Sequence, residues 1–150
     1  MLTTLALAPG FFSNVGRGIG AILLYAVIGL LLMLLGFWAI DLTTPGKLNR
    51  LVRDGMPNAV IVTSAGIVSM AFIVVTAIWG ASGALAEGLL ASLIFGLVGI
   101  IAQVAGVRVL EWITGIRIGA VLADPERRPE AWVVAAAHIA LGLVVAVAII

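Results

Sequence analysis

Four stretches of this 150-residue chain are nearly free of charge over lengths that can cross a lipid bilayer. A helix needs about 20 apolar residues to span the hydrocarbon core, because each residue adds about 1.5 Å. In lipid, every backbone N–H and C=O group must find a partner within the protein, and a helix pairs them within one segment. The sequence therefore predicts four transmembrane helices, at residues 19–40, 58–79, 89–110 and 131–150.

The composition leaves room for little else. Hydrophobic residues make up 63% of the chain and charged residues 10%, whereas an ordinary globular domain has about 45–50% and about 25%. We therefore expect residues 1–150 to form a single membrane domain, all-α in fold class. A formal net charge of +1 excludes a broad nucleic-acid surface, and the absence of cysteine excludes disulfides and thiolate metal sites.

Four tryptophans mark the ends of the predicted spans. Trp38, Trp79, Trp112 and Trp132 all lie at or just beyond a span boundary, where the amphipathic indole ring favours the headgroup region. Residues 1–9 are apolar but have no basic start and are short for a signal peptide. We therefore expect residues 1–18 to be a retained apolar leader.

A helical face of small residues occurs twice, about seventy residues apart. Its members follow a four-then-three spacing, which keeps them on one side of a helix. They are Gly29, Met33 and Gly36 in the first copy, and Ser92, Gly96, Gly99, Gln103 and Gly106 in the second. The fourth span has a comparable stripe of Ala131, Ala135, His138, Gly142 and Ala146. Small faces let membrane helices approach closely, so we expect one stripe to face another.

This repetition predicts a duplicated two-helix unit, with one copy at about 19–79 and the other at about 89–150. A duplicated unit of two spans keeps its orientation in the second copy. The two copies should then be related by a pseudo-two-fold axis along the membrane normal.

Basic residues are confined almost entirely to two connections. The turn at 80–88 has no lysine or arginine, whereas the other connections contain Lys47, Arg50, Arg53, Arg117, Arg127 and Arg128. The positive-inside bias predicts that these connections are cytoplasmic and that both termini lie outside. The same side chains could bind anionic lipid or dock a cytoplasmic partner, or they could act only as a topology signal.

Several short motifs occur at helix ends, together with one glutamine inside the third span. They are Asp41 with Thr44-Pro45, Gly55 with Asn58, Gln103, and Pro129-Glu130-Ala131. With these motifs the chain resembles the YjfL-like bacterial inner-membrane proteins, which contain two copies of a domain of unknown function. It departs from that pattern at Met56-Pro57, which separates Gly55 from Asn58. The resemblance implies a bacterial plasma membrane and a role in envelope maintenance, and it implies no catalytic residues.

Three polar residues lie at a similar depth within the spans. Gln103, His138 and Ser64 are each about 10 Å from the predicted cytoplasmic interface. They could form a polar waist that passes a proton, ion or small polar solute. Alternatively, Gln103 and His138 hydrogen-bond to each other and join two helices, a contribution of about 1 kcal/mol or less. We favour this second interpretation, because polar groups in lipid seek partners whether or not they have a function.

Asp41 and Glu111 end the first and third predicted spans, and Arg108 lies one turn before Glu111. An ion pair between Arg108 and Glu111 is expected. The two carboxylates could form a cytoplasmic mouth or docking point, but interfacial charges commonly mark where spans end, which we consider the better interpretation.

The chain offers no arrangement typical of an enzyme. It has one histidine, no cysteine and no carboxylate within a span, so we expect no metal site, no cofactor and no catalytic residues. The leading hypothesis is a small non-enzymatic membrane protein that contacts lipid and forms a homo-oligomer or joins other membrane subunits. The alternative is a small channel or transporter with its waist at Gln103, His138 and Ser64.

Overall fold

The computed structural model describes residues 10–43, 47–81 and 84–150. In this part of the chain, the order of a long, a short and a long helix occurs twice. The helices are α1 (Phe11–Thr43), α2 (Leu48–Arg53), α3 (Pro57–Gly80), α4 (Leu85–Thr114), α5 (Ile118–Ala123) and α6 (Pro129–Ile149). The four long helices have the length and composition to cross a membrane, which confirms the four predicted spans. The tandem repeat and its pseudo-two-fold axis remain predictions.

Proline opens two of the long helices. Pro57 and Pro129 occupy the first turns of α3 and α6, where the missing N–H costs nothing and the fixed φ suits a helix. Gly115 ends α4 in the left-handed conformation, with φ 69°, and its N–H donates to the carbonyl of Glu111 at 3.0 Å. The two prolines explain why α3 and α6 begin within two residues of their predicted starts.

The long helices pack with α3 in the centre. Helices α3 and α6 form the most extensive contact, α4 lies against both, and α1 lies at the edge against α3 and α4. Two apolar clusters fill the interior. The mid-bundle cluster consists of Leu32, Met70, Ile73, Val74 and Ile100, and the second cluster, beside α2 and α5, consists of Leu48, Ala59, Val62, Ile118, Leu122, Ala131 and Val134.

Helices α1 and α4 are longer at both ends than the predicted spans, and they end at Thr43 and Thr114 instead of at residues 40 and 110. Helix α1 begins at Phe11, so residues 11–18, which we assigned to the leader, form its first turns instead. Residues 1–9 of that leader and the Thr44-Pro45-Gly46 turn lie outside the described residues. The connection after α3 is also shorter than the predicted 80–88 turn, because α4 already begins at Leu85.

The sequence analysis missed the short helices α2 and α5. Each has six residues, which is too few for hydrophobic periodicity to reveal. They pack against each other and insert the apolar side chains of Leu48, Ile118 and Leu122 into the cluster described above. We refer to this end of the bundle as the short-helix end.

The predicted small-residue stripes are packing surfaces, but their glycines do not lie against other glycines. Instead, larger side chains from neighbouring helices fill the space that the glycines leave. Gly29 lies against Val74, Gly36 against Met70, Gly96 against Leu32, Gly99 against Ile73 and Gly106 against Leu141. Ser92 in the same stripe is buried, and its hydroxyl donates to the carbonyl of Gly88 at 2.8 Å. The stripes of α4 and α6 do meet where Gln103 bonds to His138. The glycines of α1 and α4 pack against side chains of neighbouring helices, because a side chain fills a glycine gap better than a second gap does.

Gly142 on α6 lies close to the backbone of α3. A Cβ atom at this position would lie 3.0 Å from the Cα of Ser69 on α3, a backbone atom that has little freedom to move. We expect Gly142→Ala to lower the free energy of unfolding by about 1–3 kcal/mol, because the added methyl overpacks the α3–α6 contact. Denaturant titration in mixed micelles would measure this loss.

Val144→Ala, on the same helix, is the control for this prediction. Val144 is 67% exposed, so its truncation should change the free energy of unfolding by less than about 0.5 kcal/mol. Equal losses from the two variants would show that the α3–α6 approach is not the limiting contact.

Candidate functional site

Three long helices meet at one backbone carbonyl. The carbonyl oxygen of His138 on α6 accepts a hydrogen bond from Ser69 Oγ of α3 at 2.7 Å and another from Gln103 Nε2 of α4 at 3.0 Å. Ser69 and Gln103 are fully buried and His138 is 2% exposed. Because His138 lies inside α6, its carbonyl oxygen is also the helical acceptor of the Gly142 N–H, so the two side-chain bonds are made in addition to a backbone bond. We call this arrangement the His138 junction.

The lack of a side chain at Gly142 makes room for the junction. Ser69 lies directly against Gly142, one helical turn beyond His138, and from there its hydroxyl reaches the His138 carbonyl. Interhelical hydrogen bonds of this kind contribute about 1 kcal/mol or less each in membranes. The junction therefore adds directional bonds to a contact that apolar packing already stabilises.

The predicted polar residues are only partly brought together. Gln103 and His138 are neighbours, but the amide of Gln103 bonds to the backbone of His138 and not to its ring. The ring Nδ1 lies instead 2.9 Å from the carbonyl oxygen of Val134, one turn earlier on α6. The predicted hydrogen bond between Gln103 and His138 is therefore present and joins two helices, but it uses the backbone carbonyl of His138 and not its ring.

Ser64 does not join the junction. It is exposed on the opposite side of α3, beside an apolar groove that includes Trp132 and Ala136 of α6. Successive helix residues turn by about 100°, so Ser64 and Ser69 point about 140° apart. The sequence analysis assigned no site to Ser69, although Gly66, Ser69 and Ile73 follow the spacing that defines a buried face.

A small cavity adjoins the junction on its short-helix side. Its volume is about 20 Å³, and Gln103 and His138 line it together with mainly apolar side chains. A volume of about 10–15 Å³ is sufficient to hold one water molecule. Gln103 Oε1 is buried without a hydrogen-bond partner among the described residues, as is Thr63 Oγ1, which borders a second cavity of about 10 Å³.

The carboxylates at the ends of α1 and α4 have a structural role. Asp41 Oδ1 accepts from the backbone N–H of Asn49, and Glu111 Oε1 accepts from that of Ile118, both at 3.0 Å. These N–H groups belong to the first turns of α2 and α5, where helices leave donors unpaired. Glu111 also forms the predicted ion pair with Arg108. The contacts favour helix termination over a docking point.

Asn58 joins the first half of the chain to the second. Its Nδ2 donates to the carbonyls of Asp124 at 3.0 Å and Glu126 at 2.7 Å, and its Oδ1 accepts from the N–H of Arg128 at 2.9 Å. The side chain is fully buried at the start of α3. A single amide therefore pairs with three backbone groups of the α5–α6 connection.

The α5–α6 connection is further fixed by its own charges. Asp124 accepts from the backbone N–H of Glu126 at 2.9 Å and pairs with the guanidinium of Arg128. The hydrogen bond from Glu126, and then the one from Arg128, lowers the pKa of the Asp124 carboxyl. The same pair raises the pKa of Arg128. Both groups therefore stay charged at neutral pH.

The six basic side chains of the two connections are all exposed at the short-helix end. Lys47, Arg50 and Arg53 border an open polar depression beside α2, and Arg50 lies 3.8 Å from Asp54. Such exposed ion pairs contribute little to stability. Among the described residues, no group of three metal-binding side chains comes together.

Four apolar helices of spanning length, three of them joined by buried polar contacts, define the class of this molecule as a multi-pass integral membrane protein. Residues 13–149 match the family described as Domain of Unknown Function (DUF350), and the chain belongs to this family. The family description assigns no activity. It does not carry the YjfL designation, which remains a prediction.

The relatives are mycobacterial membrane proteins. A UPF0719 transmembrane protein of Mycolicibacterium paratuberculosis is 33% identical over 134 residues, which cover 89% of each chain. A UPF0719 transmembrane protein of Mycobacterium bovis is 37% identical over 81 residues, which cover 53% of each chain. No solved structure matches the chain.

We expect Asn58→Ala to lower the free energy of unfolding by at least about 2 kcal/mol, because each buried polar group left unpaired costs about 1–3 kcal/mol. The measurement is denaturant titration in mixed micelles. Asn49→Ala is the control, since the Asn49 side chain is exposed and its loss should change stability by less than about 0.5 kcal/mol. A similar small effect at Asn58 would contradict a clamp between the two halves.

Proposed function

We propose that this protein is a non-enzymatic component of the bacterial plasma membrane. In this proposal it associates with further copies of itself, or with other membrane subunits, in an assembly that maintains the cell envelope. The polar groups of the junction support a structural role, because Ser69 and Gln103 bond to backbone and thereby hold helices together. The proposal also takes the chain to consist of two tandem copies of a helix pair.

The observation that carries the proposal is the incomplete packing of α1. Its buried residues are Gly29, Leu32 and Gly36, all on one face of a 33-residue helix. That length corresponds to about 50 Å, well beyond the roughly 30 Å of a bilayer core. The remaining faces are available to a neighbouring subunit.

Three glycines near the start of α1 support this interpretation. A Cβ at Gly16, Gly18 or Gly20 would have nothing within 4 Å. Each glycine inside a helix costs about 1 kcal/mol relative to alanine, and in this fold no neighbour requires their small size. Glycines spaced four apart let a second membrane helix approach closely, so we assign this segment to the contact between subunits.

The positions of the basic residues support the predicted orientation of the chain across the membrane. All six lie at the short-helix end. Toward the opposite end, Arg17 of α1 counts weakly against this orientation, but the described residues between Gly80 and Gly88 include no lysine or arginine. The positive-inside bias places the short-helix end in the cytoplasm and both termini outside. There the basic side chains can contact anionic lipid headgroups or a docking partner.

A channel or transporter is the second candidate, supported by the unpaired Gln103 Oε1 beside the cavity. The cavity holds about one small molecule, and the mid-bundle cluster of Leu32, Met70, Ile73, Val74 and Ile100 occupies the bundle beyond it. A path through a single chain would have to displace that cluster. We therefore rank self-association first.

Single-cysteine cross-linking tests self-association in native membranes, because the chain has no cysteine of its own. Gly20→Cys should form disulfide-linked dimers several-fold faster than Val147→Cys. Val147 is 72% exposed on α6, and both positions lie about 30 Å from the short-helix end along their helices. Equal rates at the two sites, or no dimer at either, would contradict an α1 interface.

Because the chain has no cysteine of its own, single cysteines can also test its orientation across the membrane. In intact spheroplasts, a membrane-impermeant maleimide should label Ala84→Cys in the α3–α4 connection and leave Asp54→Cys unlabelled until the membrane is opened. Both positions are exposed, so burial does not explain a difference. The reverse pattern would invert the topology.

A further inference from the structure

We propose that Gln103 Oε1 and the imidazole of His138 form a binding site for a single small hydrogen-bond donor, of the size of water or ammonium. The site is the cavity of about 20 Å³ beside the His138 junction. The inference does not depend on self-association, because all the residues involved belong to one chain.

The orientation of the Gln103 amide is fixed by its partner. The His138 carbonyl can only accept a hydrogen bond, so the group 3.0 Å from it must be the amide nitrogen. Gln103 Oε1 is therefore the free end, fully buried and without a partner among the described residues. A buried acceptor left unpaired costs about 1–3 kcal/mol, so this oxygen favours any donor that reaches it.

The His138 ring is oriented by the same argument. Its Nδ1 lies 2.9 Å from the carbonyl oxygen of Val134, which can only accept, so Nδ1 carries a hydrogen. In the uncharged ring, Nε2 then has a lone pair and no hydrogen. Gln103 and His138 both line the cavity, and in this proposal one donor molecule bonds to both acceptors.

The rest of the lining favours one small, donor-rich molecule. Apolar side chains from α1, α2, α3 and α5 surround the cavity, including Ile40, Leu48, Val62 and Leu122. Arg108 is the charged residue of the lining, and its guanidinium is engaged by Glu111. Water and ammonium both fit the size and supply at least two N–H or O–H donors. An anion would face two acceptors and is disfavoured.

The position of the cavity indicates where the donor enters. Leu48, Ile118 and Leu122 line it from the short helices α2 and α5, whereas the mid-bundle cluster lies beyond the junction. Entry is therefore from the short-helix end, past side chains that α2 and α5 insert.

Because the chain contains a single histidine, nitrogen NMR of histidine-labelled protein in lipid nanodiscs reports on this site alone. At pH 8, above the ordinary histidine pKa of about 6.5, we expect a protonated Nδ1 and an unprotonated Nε2. We also expect magnetisation transfer to the ring from a bound water. A hydrogen on Nε2 instead of Nδ1 would overturn the proposal.

Ammonium titration distinguishes the two donors. A saturable shift of the Nε2 signal with ammonium chloride, absent with sodium chloride, would identify ammonium as the ligand. Water transfer that ammonium does not change would identify water. Absence of both the water transfer and the ammonium shift would overturn the site.

Three variants test which groups hold the donor. Gln103→Met keeps the length of the side chain but removes the acceptor, and should reduce the water transfer or ammonium shift at least fivefold. Val107→Leu fills the cavity without touching a hydrogen bond and should give the same loss while Nδ1 stays protonated, which keeps the test valid if Gln103→Met does not fold. Thr63→Val, at the neighbouring cavity, should change neither signal. Undiminished binding in Val107→Leu would place the donor elsewhere.

Discussion

The close approach of α3 and α6 at Gly142 is the contact on which the rest of the bundle depends. It lets the backbone of Ser69 lie against α6, so that its hydroxyl reaches the carbonyl of His138. Gln103 of α4 bonds to the same oxygen and fixes the third helix. In lipid, where helices gain little from burying apolar surface against each other, close packing and such bonds determine which faces meet.

The short-helix end is organised by a different kind of interaction. Asp41 and Glu111 each extend from the end of a long helix and bond to the first turn of the short helix that follows. Asn58 then connects the start of α3 to the α5–α6 connection. These bonds give partners to backbone groups that the helices themselves leave unpaired. They thereby hold α2 and α5 against the bundle.

The two functional proposals concern different parts of the molecule. Self-association uses the outer faces of α1, where Gly16 and Gly20 have no neighbour within the chain. The donor site uses the interior, where Gln103 and His138 line a cavity. Gln103 and the His138 ring each hydrogen-bond to a backbone carbonyl. A histidine and a glutamine within a membrane span can therefore have a structural role and need not indicate transport.

Part of this architecture could be predicted from the sequence alone, because lipid restricts which segments can cross the membrane. Uncharged runs of spanning length determine the four helices, and Pro57 and Pro129 determine where two of them begin, because these effects are local to each segment. The tertiary structure alone decides that Ser69, and not Ser64, reaches the junction, and that Gln103 bonds to backbone. Those outcomes depend on how each helix is rotated about its axis, which the contacts of every neighbouring helix set together.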